Sequence, residues 1–457
     1  MAEGGPQARR RFEALLHESG RLLHRNRTAA VALLVGAIGF SAAIVGYELA
    51  KRPADVHNTD AVFVPQGPKQ VKKARTVNWP IFGYDRARTR YLPVRGVKPP
   101  YDKIWRFTDR PLLEFPPIYV AGKLYFVNNS GFAYALDADT GKELWKRRIG
   151  RLNASSPAFA RNRLYVVNLV PGHVLKLNAR TGRTIWKRDL PARAESSPIV
   201  IGRTVYFGAE DGNLYALSTG KGQVRWTTGL GGEVKAAPAY YGGKLFVGDY
   251  GGHMNAVDAK SGELVWQSGS LGLGFGASGS FYSTPAVAFG RVYAGNTDGR
   301  VYSFETSGGE LAWTYSTGGY VYSGPTVANT RHSPPTVFIG SFDGNVYALG
   351  AKNGNLRWSR SAGGQVIGSL SAVGDLVYVA EFTHKSTSAF MMRSGRRVWR
   401  YPKGTYTPVI SDGRRIYLTG YSSITALRPH RAVVGVAEAH PARKKGKDPS
   451  GGGRGAR

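Results

Sequence analysis

The sequence predicts an all-β protein: an eight-bladed β-propeller closed by its N- and C-terminal strands and preceded by a single N-terminal transmembrane helix. Three observations carry this expectation. Seven times a glycine stands four residues before a tryptophan, at Gly141/Trp145, Gly182/Trp186, Gly222/Trp226, Gly262/Trp266, Gly309/Trp313, Gly354/Trp358 and Gly395/Trp399, and the pairs recur every 40 to 47 residues. Each period holds four short strand-like runs separated by hairpin signals. Ahead of the repeats, Thr28 to Tyr47 is an uncharged apolar stretch of 20 residues behind an arginine-rich leader.

Residues 1–27 read as a basic cytoplasmic leader and 28–50 as the membrane helix. At ~1.5 Å per residue a helix of that length matches the ~30 Å hydrocarbon core of a bilayer. Arg9, Arg10, Arg11, Arg21, Arg25 and Arg27 precede it, so the positive-inside rule keeps the N-terminus in the cytoplasm and sends everything after Lys51 outward. A cleaved signal peptide fits less well, because the leader is long and Glu48 before Ala50 makes a poor small-x-small site. The expected location is the cytoplasmic membrane, single-pass, with the propeller extracytoplasmic. Residues 51–78, polar, basic and punctuated by proline, read as a stalk.

The propeller is expected over residues 79–428. In SSPIVIGRTVYFGAEDGNLYALSTGKGQVRW, Ile199 opens an apolar run, Gly202 turns it, Thr204 to Gly208 is a strand, and Asp211-Gly212-Asn213 turns into Leu214 to Leu217. Val224 to Trp226 completes a fourth strand. About 40 residues and four strands per unit is the arithmetic of a propeller blade, in which each sheet buries a face against the next. The pattern Ala-Leu-Asp-Ala-x-Thr-Gly-x-x-x-Trp stands almost intact at Ala135 to Trp145 and recurs in related form at Ala216, Ala256 and Ala348. The eight tryptophans Trp105, Trp145, Trp186, Trp226, Trp266, Trp313, Trp358 and Trp399 therefore read as structural docking residues, each large ring packing against a neighbouring blade near a small alanine. Trp105 has Tyr101 where the glycine should be, and the run after Trp399 has three strands but no fourth. The segment around Trp105 is thus expected to supply that fourth strand and shut the ring, leaving no open edge. Residues 429–457, rich in Gly, Arg and Lys, read as a disordered basic tail.

The docking motif, together with Asn78-Trp79-Pro80-Ile81-Phe82-Gly83-Tyr84-Asp85 and Arg88-Thr89-Arg90-Tyr91 ahead of the first blade, resembles the pyrroloquinoline-quinone (PQQ) enzyme repeat family over about Asn78 to Arg428. That family includes quinoprotein alcohol and sugar dehydrogenases as well as non-enzymatic propellers such as the outer-membrane assembly lipoprotein BamB. The resemblance implies two function classes: a quinone-dependent dehydrogenase using PQQ with Ca2+, or a non-catalytic module binding a protein or envelope polymer. The cysteine pair that covers the quinone in soluble alcohol dehydrogenases of the family has no counterpart, since the chain contains no cysteine. No aspartate matches the calcium or catalytic-base position. The lipid anchor of BamB is likewise impossible without cysteine, so no catalytic residue, metal ligand or cofactor is assigned and the binding module is the leading expectation. A sensor of polyanions or another ligand is a third class, because the formal charge is +32 and the excess is spread along the whole chain. Nucleic acid is not an expected partner.

Contacts to a ligand are expected where the repeat is broken. The spacing from Trp266 to Trp313 is 47 rather than 40, so an insertion follows Trp266. Phe275, Phe281 and Tyr282, with Tyr320 and Tyr322 of the next inter-blade segment, form the candidate ligand-face loop. Gly274 to Gly279 satisfies GxGxxG but lacks the strand and helix that a dinucleotide site needs. The second insertion, Asn329 to Pro335, reads as a lengthened hairpin, and the nine histidines show no metal-ligand spacing. There is no G-x-S-x-G elbow, P-loop or HExxH.

Overall fold

The structure, a computed structural model, describes residues 53–70, 77–272, 278–407 and 409–430. The leader, the apolar stretch 28–50 and the basic tail lie outside them. The described residues form eight blades of four antiparallel strands each, the seventh extended at its inner edge by Tyr91–Leu92 as a fifth, parallel strand, and contain no helix. Blades one to seven span residues 118–148, 158–189, 199–229, 239–269, 286–316, 326–361 and 371–401. In blade one the strands run from the inside outward as Ile118–Val120, Lys123–Val127, Phe132–Asp137 and Glu143–Arg148. The inner and middle strands are buried almost throughout, because both their faces meet a neighbouring blade, while the outermost strand buries its tryptophan and exposes its flanking residues.

Blade eight is built from both ends of the ring. Tyr101–Thr108 pairs antiparallel with Ser423–Pro429, followed inward by Ile416–Thr419 and Ile410–Ser411. Trp105 stands opposite Ala426, the same register that sets Trp145 opposite Ala135 and Trp226 opposite Ala216. The alanine is thus the tryptophan's cross-strand neighbour within one sheet. The small residue it meets in the next blade is the glycine. Trp105 lies on Gly141 of blade one, Trp145 on Gly182 of blade two, and so on round to Trp358 on Gly395 of blade seven. Each of these seven indoles donates its Nε1–H to a carbonyl in the same turn of the next blade, from Ala138 for Trp105 at 3.1 Å to Met392 for Trp358 at 2.8 Å. The glycine and tryptophan of one repeat therefore serve two different interfaces. At the last interface Trp399 meets Tyr101 edge-on, with centroids 5.2 Å apart. The tyrosine that interrupts the motif is the closure seam.

Two segments before blade eight's outer strand complete the body. Residues 77–92 wind inside the ring. Trp79 exchanges backbone hydrogen bonds with Tyr119, and the carbonyls of Pro80, Arg86, Ala87, Thr89 and Arg90 accept from innermost strands of blades two, four, five, six and seven. The inner edges that a propeller leaves open to its channel are paired here by the chain itself. Arg88 and Arg90 are wholly buried in this coil, and their guanidiniums donate to the carbonyls of Phe82, Ser197 and Pro238, and of Thr284 and Pro325. Burial pushes both down to about 9. Residues 53–64, within the stretch read as a stalk, run along the outside of the disc, and the chain then turns inward across the rim, where Lys69 pairs with Asp85 of the inner coil at 3.2 Å. Asn58 N–H donates to Ala312 O at 2.8 Å and Thr314 N–H to Val56 O at 3.0 Å, so this strap continues blade five by part of a fifth strand.

Candidate functional site

A strand that begins at one rim of the disc ends at the other, so the turns sort by position. Connections between blades, and turns between second and third strands, share one rim. Turns between first and second strands, and the docking turns between third and fourth, share the opposite one. The central channel opens on the first rim in a cavity of about 130 Å³. Its walls come from the connections: Glu114 before blade one, Glu195 before three, Lys235 before four, Tyr282 before five, Tyr322 before six and Tyr406 before eight. Its floor is Phe82, under which Arg90 sits with its guanidinium carbon 5.2 Å from the ring centroid.

One side of this mouth is charged and the other aromatic. Lys235 Nζ lies 3.2 Å from Glu233 and 3.7 Å from both Glu195 and Glu210, and Arg193 pairs with Glu210 at 2.7 Å. Burial drives the Glu195 carboxyl up to about 7, with Lys235 pulling it down and Glu210 and Glu114 pushing it further up. Burial also raises Glu114, opposed by a hydrogen bond from Asn129. From Lys235 the aromatic side begins: its ammonium is 4.8 Å from the Tyr250 ring, and Tyr250, Tyr282, Tyr322, Tyr320 and Phe342 follow with successive centroids 5.7 to 6.4 Å apart in mainly edge-on pairs. Tyr320 stands at the lip, 47% exposed.

Of the candidate ligand-face residues, the structure brings Tyr282, Tyr320 and Tyr322 together at this mouth. Phe281 is elsewhere: wholly buried, it packs edge-on against Tyr302 and Phe304 between blades four and five. Phe275 lies outside the described residues, as do Gly274 to Ala277 of the GxGxxG run. Asn329 to Pro335 is a hairpin closed by Thr330, which accepts from Ser333 N–H, and it takes no part in the mouth. Glu114, Glu195 and Lys235 were not singled out from the sequence, yet a signal for them exists. Each stands three residues before the proline that opens its blade, Pro117, Pro198 and Pro238, as Tyr282 stands before Pro285 and Tyr322 before Pro325.

Among the described residues no group of three or more His, Cys, Asp or Glu side chains is placed to hold a metal ion. The quinone implied by the resemblance is a tricarboxylate, and the mouth offers it one lysine already engaged by three glutamates, with Glu114 adding a further carboxyl. That donor set does not fit an anionic quinone with its calcium ion.

No curated protein matches the sequence. Solved structures do share the fold. BamB from Moraxella catarrhalis superposes with a TM-score of 0.61 at 17% identity, covering 72% of this chain and 99% of that one. A quinohemoprotein alcohol dehydrogenase from Pseudomonas putida superposes at 0.67 and 14% identity, covering 80% and 83%. A europium-containing methanol dehydrogenase gives 0.62 and 12%, covering 75% and 90%. At such identities the likeness speaks for the fold alone. The family model described as outer membrane protein assembly factor BamB matches residues 94–232 and 170–401, which together are most of the propeller, and the chain belongs to this family of PQQ-type β-propellers.

Proposed function

We propose that this chain is a membrane-anchored extracytoplasmic propeller, a non-catalytic module that binds a protein partner at the mouth of its central channel. The observation that carries the reading is the mouth itself. A coil of the same chain fills the ring beneath it, with two buried arginines held by backbone carbonyls, so it is a shallow docking surface rather than a deep reaction chamber. An edge-on aromatic cluster beside an ion network is the composition of a protein-recognition surface, in which aromatic anchors supply affinity and charges supply register.

The anchor reading rests on the apolar run at 28–50 and the arginines before it, since no helix among the described residues is long and apolar enough to cross a membrane. The absence of cysteine makes a clean test available. In intact cells, a membrane-impermeant maleimide should label a Tyr320→Cys chain, and should label a Glu3→Cys chain only after lysis. Equal labelling of both, or the reverse order, contradicts the anchored topology. The full-length protein mixed with PQQ and calcium should show no dye-linked oxidation of alcohols or sugars, and stoichiometric quinone binding with turnover would overturn the non-catalytic reading.

A further inference from the structure

The positive charge, spread evenly along the sequence, is sorted in space. In blades two and three every carboxylate, Asp189, Glu195, Glu210 and Asp211, belongs to the mouth rim. The opposite rim of the same two blades carries Arg161, Arg163, Arg180 and Arg183 on blade two, Arg203 and Lys221 on blade three, and no acidic residue. None of these six lies within ion-pair distance of a carboxylate among the described residues. The sorting has a local cause in the docking motif. In blades one and four the motif aspartate caps its turn: Asp137 accepts from Asp139 N–H and Thr140 N–H, and Asp258 from Lys260 N–H and Ser261 N–H. Blade two places Asn178 there, and it accepts from Arg180 N–H at 2.9 Å; blade three places Ser218, accepting from Gly220 N–H at 3.2 Å. The turn keeps its cap and loses its charge. Folding therefore does not require the change, and its effect is to leave a row of cations without counter-charges.

The row borders a hollow. A cavity of about 340 Å³ lies between blades one and two on this rim, with Lys123, Arg163 and Arg180 on its wall and Asn162 and Asn178 beside them. Burial, and after it the neighbouring Arg163, lower the Lys176 ammonium. Five of the six cations on the rim are arginines, whose planar fork matches the oxygens of a phosphate group. We propose that this rim binds a phosphate-bearing anionic polymer, which runs from the hollow between blades one and two across the docking turns of blades two and three. A chain of phosphates suits a row of cations extending over two blades better than a single small anion does.

The strap decides which source of phosphate is meant. Arg300 Nη2 donates to Pro53 O at 2.7 Å and Arg300 Nη1 to Gly272 O at 3.0 Å, while Asp55 accepts from Ser316 N–H at 2.9 Å. Gly272 and Ser316 are at the mouth rim. By Val64, which donates to Phe289 O at 2.9 Å, the strap has reached the opposite rim. Residue 53 follows the apolar run closely, so if that run is the membrane anchor of the proposed function, the mouth faces the anchoring membrane and the basic rim faces away from it. The polymer is then one in the envelope space, not the lipid surface to which the protein is tied.

The test uses the full-length protein in phosphatidylcholine nanodiscs, with inorganic polyphosphate as the probe. Polyphosphate should bind, weaken steeply as salt is raised, and lose about ten-fold in affinity with Arg163→Glu/Arg180→Glu, as expected for phosphate contacts. Arg396→Glu/Arg397→Glu on blade seven should cost much less. Should the charge reversals lower the melting temperature, Arg163→Gln/Arg180→Gln provides the same comparison without introducing acids. Equal losses from the blade-two and blade-seven pairs, salt-insensitive binding, or no binding overturns the proposal. So does tighter binding to phosphatidylglycerol vesicles or to a single-stranded oligonucleotide of equal charge. Carbonate extraction of membranes reads the anchor separately: release of the protein removes the anchor and the orientation, while polyphosphate binding at the rim would still stand.

Discussion

Gly141 lies so close to the indole of Trp105 that a Cβ there would stand 2.6 Å from its ring carbons, and its φ of +72° is one that side chains avoid. The same pair of constraints holds at Gly354 under Trp313, where the distance is 2.8 Å. Gly354→Ala should therefore destabilise the protein by about 1–3 kcal/mol through overpacking. Truncating the ring from the other side, Trp313→Ala should cost about 3–5 kcal/mol, and more than Trp186→Ala, because Trp313 is 1% exposed under the strap whereas Trp186 is only half-buried. Chemical denaturation of the three variants ranks them, and an equal loss at both tryptophans would show that the strap adds nothing to the packing. At the mouth, Glu195 holds a proton up to about pH 7 in the folded chain, whereas the unfolded chain releases it near 4.5. The folded state thus binds more protons between those values, so this group's contribution to stability falls as pH rises from 4.5 through 7. Glu195→Gln should flatten that part of the stability profile, and an unchanged slope would remove the burial assigned to Glu195.

At the scale of elements, the blades were legible in the sequence because their packing is periodic: each sheet meets an identical neighbour, so the same glycine, alanine and tryptophan recur. The exception at Tyr101 was legible for the same reason, and it marks the seam where Trp399 meets a ring instead of a glycine. The strap was not legible. Its hold on blade five runs largely through its own backbone groups, which pair with Ala312 and Thr314, accept from Arg300 and donate to Glu305, with Asp55 accepting from Thr314 and Ser316, and backbone pairing leaves no mark in residue type. The inner coil was recognisable only as a family likeness, since its pairing with innermost strands depends on a channel that no local pattern describes. Asp55→Ala removes the hydrogen bonds to Thr314 and Ser316 together with the 3.7 Å ion pair to Arg300. Amide exchange in Leu311–Ser316 should then speed up while the docking turns of the other blades stay protected. Unchanged exchange would mean that the strap is held elsewhere, for instance where Phe63 stacks on Phe289.

On the whole molecule, the two rims differ in kind. The mouth rim carries aromatic rings and the glutamates around Lys235, and the docking rim of blades two and three carries unopposed arginines. Even spread along the chain hid this sorting, because consecutive turns alternate between rims and only the strand order says which turn belongs to which. The mouth was half visible: its tyrosines stood out by type, while Glu195 and Lys235 looked like ordinary surface charges until the structure placed them at the channel, and their shared offset from the blade-opening prolines is the signal that went unread. The two proposals place a protein at one rim and a charged polymer at the other, an arrangement that the alternation of turns between rims permits. On the proposed function, a protein partner docks at the mouth. Photocrosslinking in living cells tests it most directly, with the reactive residue placed at Tyr320 or Tyr322 at the mouth and at Leu144 or Ile185 on the outer strands. One discrete protein adduct is expected from the two mouth positions, reduced when Lys235 is also changed to alanine, and none from the outer strands; adducts from Leu144 and Ile185 with none from Tyr320 and Tyr322 would overturn docking at the mouth.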